Sequence, residues 1–404
     1  MLSFRDWCMT SFTVKTFHKS IINHTLAGHV IEPRCPHTRE CGGCAFQDRA
    51  YADQVAAKAA VLRELYAASG IVLDEMTVVP SPDPFGYRTR MDYVATKGRF
   101  GLRARGRFNY IVELTTCHLL PPPAFTAALH VWQRAVALGI PDYDIRSHTG
   151  CLRYIVVRRN PNDELLLAAV TTAGGDEQAM EELATTALSQ PGVIGFHWLI
   201  NDTLTDVSFG ERRRHWGAAE LAMRIGDITC FIGPNTFFQN NIYLAPRLIR
   251  DAVAAAVPEP ALRVADLYGG VGAIGLHLAP HADRVDCVET VAESVDFAAR
   301  NALANGVTNF NPICADTLAY LQAQPTGSLS VVVADPPRTG LGPQVCNELL
   351  RITPQRIIYI SCNPLTQVAD IRLLQAGYRV LNVRGYDMFP HTPHVETMAV
   401  LERA

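Results

Sequence analysis

The second half of the chain carries the pattern that most restricts its fold. Apolar runs at residues 263–267, 284–289, 331–335 and 356–361 alternate with helix-patterned stretches at about 243–257, 291–305, 343–351 and 365–375. Strands that lack polar alternate positions must be covered on both faces. Connections long enough to hold a helix return the chain in the same direction. The pattern therefore predicts an α/β domain with a doubly wound, mostly parallel sheet over residues 233–404. Residues 378–388 and 394–401 would close it as a hairpin-like edge.

The preceding residues read differently. Strand-like runs at 87–100, 154–157 and 165–171, with helices near 124–138 and 177–188, suggest an α+β region over 76–232. Residues 34–75 combine a Cys- and Gly-rich loop with a helix over 48–69, in which Val55, Leu62, Leu65 and Tyr66 keep helical spacing and Gly70 supplies the stop. Residues 1–33 show only weak alternation and read as an extension or a stray strand pair.

Of the 404 residues 48% are hydrophobic and 19% charged, which excludes wholesale disorder. No apolar run approaches the roughly 18 residues of a membrane span. Lys15, His18 and Lys19 interrupt any secretory core. A cytoplasmic protein without a membrane partner is expected, with monomer as the default. The net charge of −3 does not announce a nucleic-acid partner. It conceals a basic stretch, however: Arg88, Arg90, Lys97, Arg99, Arg103, Arg105 and Arg107 face a single acid, Asp92, with Tyr87, Tyr93, Phe100, Phe108 and Tyr110 interleaved. Such a stretch either tracks phosphates and stacks bases or forms the solvated face of a β-meander. Eleven cysteines in a reducing compartment do not suggest a disulfide framework. Cys8, Cys151, Cys230, Cys287, Cys314 and Cys346 are scattered and read as buried structural thiols.

The sheet's strand ends carry the chemistry. Residues 264–267 run into Tyr268-Gly269-Gly270-Val271-Gly272, a turn whose glycines let a ligand approach the backbone. Glu289 ends the next strand and is placed to take ribose hydroxyls. A nicotinamide dinucleotide could use the same acid, but the G-x-G-x-x-G spacing that serves a pyrophosphate is absent. An adenosyl ligand without phosphates, such as S-adenosylmethionine, fits better. Asp316 is either an adenine contact or a helix N-cap. Asp335-Pro336-Pro337-Arg338 resembles the D/N-P-P-Y/F motif of base-amine methylases, with Arg338 in the aromatic's place, which argues against an amine target.

Cys362, in Ser361-Cys362-Asn363-Pro364, follows another buried strand. It is a core thiol or a nucleophile whose thiolate the helix start at Pro364 would favour. Beside a methyl donor the nucleophile gains weight. C5 of uracil becomes reactive only when a thiolate adds to C6, and a base must then remove the C5 proton. Glu396 is the candidate base.

Together FFQNN (237–241), DLYGGVG (266–272), Glu289, DPPRTG (335–340), SCNP (361–364) and FPHTPHVET (389–397) resemble the S-adenosylmethionine-dependent RNA uracil-5-methyltransferases over about residues 34–404. The resemblance implies Cys362 as nucleophile, Glu396 as proton-abstracting base, and donor contacts at Gln239, Tyr268, Glu289, Asp335 and, less directly, Asp316. Many members carry Cys where Gly269 stands. Cys35, Cys41 and Cys44 with Cys117 match the iron–sulfur members, implying a [4Fe–4S] cluster. The spacing alone leaves tetrahedral zinc open. The cluster is expected away from the crevice, tying its loop to the basic stretch. Within the resemblance the four cysteines point to a 23S ribosomal RNA uridine, and the few residues before Cys35, too few for an N-terminal TRAM barrel, to the short ribosomal type. Uridine 54 of tRNA is the alternative substrate. A non-catalytic iron–sulfur RNA-binding protein and a methylase of amines or protein are the other readings. RNA contacts are expected from residues 87–110 and Arg212–Arg214, with the target uridine flipped out.

Overall fold

Two large sheets organise the chain, and the crevice between them is set by how the second is wound. The computed structural model describes residues 13–257 and 262–404. The stretch read as an extension or strand pair holds a helix, α1 (Val14–Leu26). Thr13 caps it: its hydroxyl accepts from the Thr16 amide at 3.2 Å, and its own amide donates to the Thr16 hydroxyl at 2.6 Å. The buried seam is only Phe17, Ile21 and Thr25, while Val14 and Leu26 are exposed, which is why the helical period is faint in the sequence. Cys8 lies outside the described residues. The helix packs on α2 (Tyr51–Ala68), whose Val61, Leu62, Leu65 and Tyr66 enter the core under the second sheet. The short β1 (Val78–Val79) then joins that sheet.

The first sheet runs β4-β3-β2-β5-β6-β7-β8. Its strands are β2 (Arg90–Thr96), β3 (Arg99–Ala104), β4 (Arg107–Glu113), β5 (Leu152–Arg159), β6 (Leu165–Thr171), β7 (Val193–Ile200) and β8 (Glu211–Gly217). The run expected as one strand over 87–100 breaks at Lys97-Gly98, both in the left-handed region (φ 51° and 69°), which makes a tight hairpin. Helices α3 (Pro122–Ala137) and α4 (Glu177–Leu188) cover one face. A hairpin of β9 (Leu221–Ile225) and β10 (Ile228–Ile232) puts Leu221, Met223, Cys230 and Ile232 into the core of the second sheet.

The second sheet is doubly wound as expected, in the order β1-β16-β17-β15-β14-β11-β12-β13. Its strands β11 (Leu262–Leu267), β12 (Ala282–Glu289), β13 (Phe310–Cys314), β14 (Val331–Ala334) and β15 (Arg356–Ser361) are parallel. Helices α5 (Ala245–Ala256), α6 (Ala273–Leu278), α7 (Ala292–Ala304), α8 (Thr317–Gln322), α9 (Gly342–Ile352) and α10 (Pro364–Leu374) cover it. The closing pair, β16 (Tyr378–Tyr386) and β17 (Glu396–Arg403), differs from a plain edge hairpin. β17 inserts between β15 and β16, antiparallel to both, and β1 pairs outside β16. An antiparallel strand begins where its parallel neighbours end, so the first residue of β17, Glu396, stands at the carboxyl rim of the sheet.

Cys151, Cys230, Cys287 and Cys346 are buried as expected; Cys314 is exposed, because it ends β13 at that same rim. Among the described residues no helix is long and apolar enough to cross a membrane.

Candidate active site

A cavity of 1170 Å³ opens at the carboxyl ends of the parallel strands. Gln239, Tyr268, Glu289, Asp316, Asp335, Cys362 and Glu396, the residues singled out from the sequence, all line it.

The turn after β11 holds Tyr268, Gly270 and Gly272 at φ 61°, 55° and 86°. A side chain at Gly269 would place its Cβ 2.4 Å from Cys287 Sγ. With a cysteine already at 287, glycine is what fits at 269. Glu289 is held by backbone donors: one oxygen accepts from Gly270 N at 3.2 Å, the other from Thr290 N and Val291 N at 2.7 and 2.9 Å. Asp316 takes the N-cap role, accepting from Ala319 N at 3.1 Å, and still faces the cavity.

Asp335 accepts from Gln239 Nε2 at 2.8 Å, joining the loop before α5 to the end of β14. The next loop is bound to it: Asn363 Nδ2 donates to Arg338 O at 2.9 Å, and Asn363 caps α10 through Leu365 N. Ser361 pairs with Thr397 across β15 and β17. That register sets Cys362, one residue beyond Ser361, level with Glu396, one residue before Thr397.

Charge in the cavity is crowded. Asp266, 1% exposed, is pushed up to about 7 by burial, against the help of the Gly275 amide at 2.8 Å and with Asp335 and Glu289 adding to the rise. Burial raises Asp335 to about 6 despite Gln239. Glu396, 4% exposed, is held well above the carboxylate range by burial and then by Asp335, with Arg338 opposing. The Cys362 thiol is raised to about 11 by burial and the Glu396 charge, again against Arg338. The expected thiolate-favouring setting is therefore corrected: desolvation and two carboxylates outweigh the helix start and the one arginine. A desolvated group of carboxyls with shifts of this sign is a site that favours a cation.

Sequence reasoning missed several walls. Asn201, Val207 and Phe209, from the connection between β7 and β8, line the cavity beside Arg338, Phe389 and His394, which lie within motifs the sequence offered without a role of their own. Only the sheet-to-sheet packing brings that polar connection there, and its NDTLTD run carries no signal of it.

A second groove, of 720 Å³, lies in the first sheet, lined by Arg88, Arg90, Arg103, Arg105, Arg107 and Phe108. Asn240 lines both cavities. Of the other basic candidates, Arg213 and Arg214 stand 3.7 and 3.5 Å from Glu177 and Glu181 on α4.

Cys35, Cys41, Cys44 and Cys117 are all buried, although Cys117 comes from the connection between β4 and α3. Burial raises each thiol, Cys41 to about 11 and Cys44 to about 12; Cys117 adds to the rise of the other three. Gln47 Nε2 donates to Cys44 Sγ at 3.2 Å and Gly43 N to Cys41 Sγ at 3.4 Å. Among the described residues, however, no group of three or more His, Cys, Asp or Glu side chains is drawn close enough to hold a single metal ion, so the geometry by itself does not support the expected metal centre. None of the four cysteines lines the cavity, yet their loop is tied to the segment that does. Ala45 N and Phe46 N donate to His391 O at 2.6 and 3.2 Å, within the segment that carries Phe389 and His394 into the cavity.

Comparison with known proteins agrees with this arrangement. Residues 227–404 match the family model described as tRNA (Uracil-5-)-methyltransferase. An uncharacterized RNA methyltransferase of Caldanaerobacter subterraneus is 34% identical over 93% of this chain and 85% of its own. A tRNA (uracil(54)-C(5))-methyltransferase of Pyrococcus abyssi is 32% identical over 92% of this chain and 86% of its own. The crystal structure of the Pyrococcus abyssi tRNA (uracil-54, C5)-methyltransferase in complex with S-adenosyl-L-homocysteine superposes with a TM-score of 0.78 at 31% identity, covering 91% of this chain and 86% of that one. With its doubly wound sheet, its rim of strand-end carboxyls and these relatives along nearly its whole length, the chain belongs to the RNA uracil-5-methyltransferase family.

Proposed function

We propose that this protein transfers a methyl group from S-adenosylmethionine to C5 of uridine 54 in tRNA. The observation that carries the chemistry is the register that sets Cys362 level with Glu396 beside the glycine turn. Several similar relatives, from Pyrococcus species, are named as tRNA (uracil-54) enzymes, which favours tRNA over the 23S ribosomal RNA expected from the cysteine pattern.

When bound, S-adenosylmethionine supplies an electrophilic methyl group on a positively charged sulfur. Tyr268, Glu289, Asp316 and Asp335 would hold it, with Gln239 fixing the Asp335 carboxylate. The carboxyls of Glu289, Asp335 and Glu396 that line the cavity suit that positive charge better than the diphosphate of a dinucleotide. Cys362 loses its proton to water, and its sulfur bonds to C6 of the flipped uracil, leaving electron density on C5 and O4. After that electron pair has taken the methyl group, with the methyl–sulfur bond of the donor broken and S-adenosylhomocysteine left as the neutral product, Glu396 takes the C5 proton. The C5–C6 double bond then re-forms as the C6–S bond breaks, and the thiolate leaves. Arg338 offsets negative charge on Cys362 throughout. RNA would lie along the arginine groove that shares Asn240 with the cavity.

For the cysteine loop we infer a [4Fe–4S] cluster on Cys35, Cys41, Cys44 and Cys117. In its favour are four buried thiols, of which Cys117 acts electrostatically on each of the other three, and the amide donors on two of the sulfurs. A cubane also keeps its cysteine sulfurs farther apart than a single ion does. Its place between the β3–β4 hairpin and His391 would fix both the groove and the catalytic segment.

The test is methylation of unmodified tRNA and of 23S ribosomal RNA fragments, with nucleoside mass spectrometry. Expected is 5-methyluridine in tRNA, lost when position 54 is cytidine and lost in Cys362→Ala. Product on the ribosomal fragment alone would move the substrate to the ribosome. Activity retained in Cys362→Ala would remove the mechanism.

A further inference from the structure

Helix α1 carries a one-signed face to the mouth of the catalytic cavity. His18 meets His394 edge-on, with ring centroids 4.8 Å apart at 88°. His394 and Arg338 both line the cavity. Lys15 and Lys19 lie three residues before and one after His18, on the same side of the helix, and both are exposed. Neither takes an ion-pair partner among the described residues. The helix sequence, VKTFHKSIINHTL, holds Lys15, His18, Lys19 and His24 and no acidic residue.

This orientation is fixed rather than incidental. The Thr13 capping box starts the helix, and Phe17 and Ile21 are buried in the core shared with α2. The lysine face is thereby turned from the core toward the side where His18 meets the cavity wall. An exposed helix usually carries acids spaced to pair with its lysines. Here none is present on the helix, and the charged groups that act on His18, Arg338 and Lys58, have the same sign. Two lysines without an acidic partner beside a cavity complement a polyanion.

We propose that α1 is an RNA-binding element, in which Lys15 and Lys19 receive phosphates of the strand leading the target uridine into the cavity and His18 keeps the helix against the rim. The proposal rests on the reading of RNA as substrate. It gives α1 a part in substrate capture, separate from the arginine groove and from donor binding.

The test is the double variant Lys15→Glu/Lys19→Glu in the full chain, with Lys15→Gln/Lys19→Gln beside it. RNA affinity is followed by fluorescence anisotropy over a salt series, S-adenosylhomocysteine binding by calorimetry, and the methylation rate at saturating RNA. Two lost phosphate contacts predict a log–log salt slope shallower by about 1.4 and an affinity lower by on the order of tenfold at low salt for the glutamate variant. The glutamine variant should fall between. Donor binding and the rate at saturating RNA should stay at the wild-type level. An unchanged RNA affinity and salt slope, in a variant that binds S-adenosylhomocysteine normally, would overturn the proposal, including in favour of an acidic protein partner for this face. Wild-type protein that binds no RNA would instead overturn the functional reading on which it rests.

Discussion

Thr397 and Ser361 are paired across β17 and β15, and the Thr397 hydroxyl donates to the Ser361 carbonyl at 3.2 Å and lies 2.8 Å from Gln367 Oε1. Gln367 Nε2 in turn donates to Tyr359 O at 2.7 Å, and Tyr66 from α2 donates to Gln367 Oε1. This buried knot sits directly beneath Cys362 and Glu396. A slip of one residue between the strands would turn one of the two away from the cavity.

Thr397→Val keeps the side chain's shape and removes its hydroxyl. The expected cost is about 1–3 kcal/mol, because buried acceptors lose a partner. Urea unfolding should show a lower midpoint at unchanged m-value. The methylation rate at saturating substrates should also fall, since the register below the two reacting groups is loosened. A variant with the wild-type midpoint and rate would show that backbone pairing alone holds the register.

On the proposed mechanism Glu396→Gln separates addition from release: Cys362 would still add to C6, but no base would take the C5 proton, so the C6–S bond would not break. Incubation with RNA and S-adenosylmethionine should accumulate a covalent protein–RNA adduct, stable to denaturing electrophoresis and absent in Cys362→Ala. An active Glu396→Gln enzyme that turns over normally would exclude Glu396 as the base.

The winding of the second sheet was legible because its strands are uninterrupted apolar runs, and Tyr268, Glu289, Asp335 and Cys362 because each stands at or just beyond the end of such a run. Other features depended on contacts distant in sequence. The insertion of β17 between β15 and β16 is set by pairing across the whole sheet, so the closing strands looked like an edge. Nothing in the helical spacing of residues 48–69 singles out Lys58, which is fully buried against Asp387. Helix α1 was missed because its seam holds too few strong apolar residues, and the β7–β8 connection because its place in the cavity wall comes from packing between sheets.

The pH dependence follows from the cavity's crowding. Glu396 must be ionised to act, and its folded-state pKa is raised; Cys362, raised to about 11, must also lose its proton. Both conditions fail as pH falls. Single-turnover methylation should therefore rise with pH from 6 to 9 without a descending limb. Stability should move the other way. Asp266, raised to about 7, favours the folded state while protonated, fully below its unfolded value near 4, and that contribution is lost as pH rises through 7. Thermal melts should fall between pH 4 and 8, and less steeply in Asp266→Asn. A bell-shaped rate profile peaking below pH 7 would contradict the raised groups.

Lys58 and Asp387 form an ion pair at 2.6 Å with both side chains fully buried. Burial lowers the lysine's pKa and the carboxylate opposes the shift. Lys58 also donates to Phe389 O at 3.2 Å, so α2 grips the segment that enters the cavity. Lys58→Met leaves a buried carboxylate without its counter-charge, and one of its oxygens, Oδ2, already lacks a hydrogen-bond partner. Breaking such a pair from one side costs about 3–5 kcal/mol, whereas replacing both members by apolar groups is often close to neutral. Lys58→Met/Asp387→Leu should therefore recover most of the stability lost in Lys58→Met. Activity should not recover with it, because the hydrogen bond to Phe389 O is missing in both variants and Phe389 lines the cavity. Chemical unfolding and kcat/KM measured on both proteins separate the two effects. If kcat/KM returned together with stability, the grip on Phe389 would have no part in catalysis and the pair would serve folding alone.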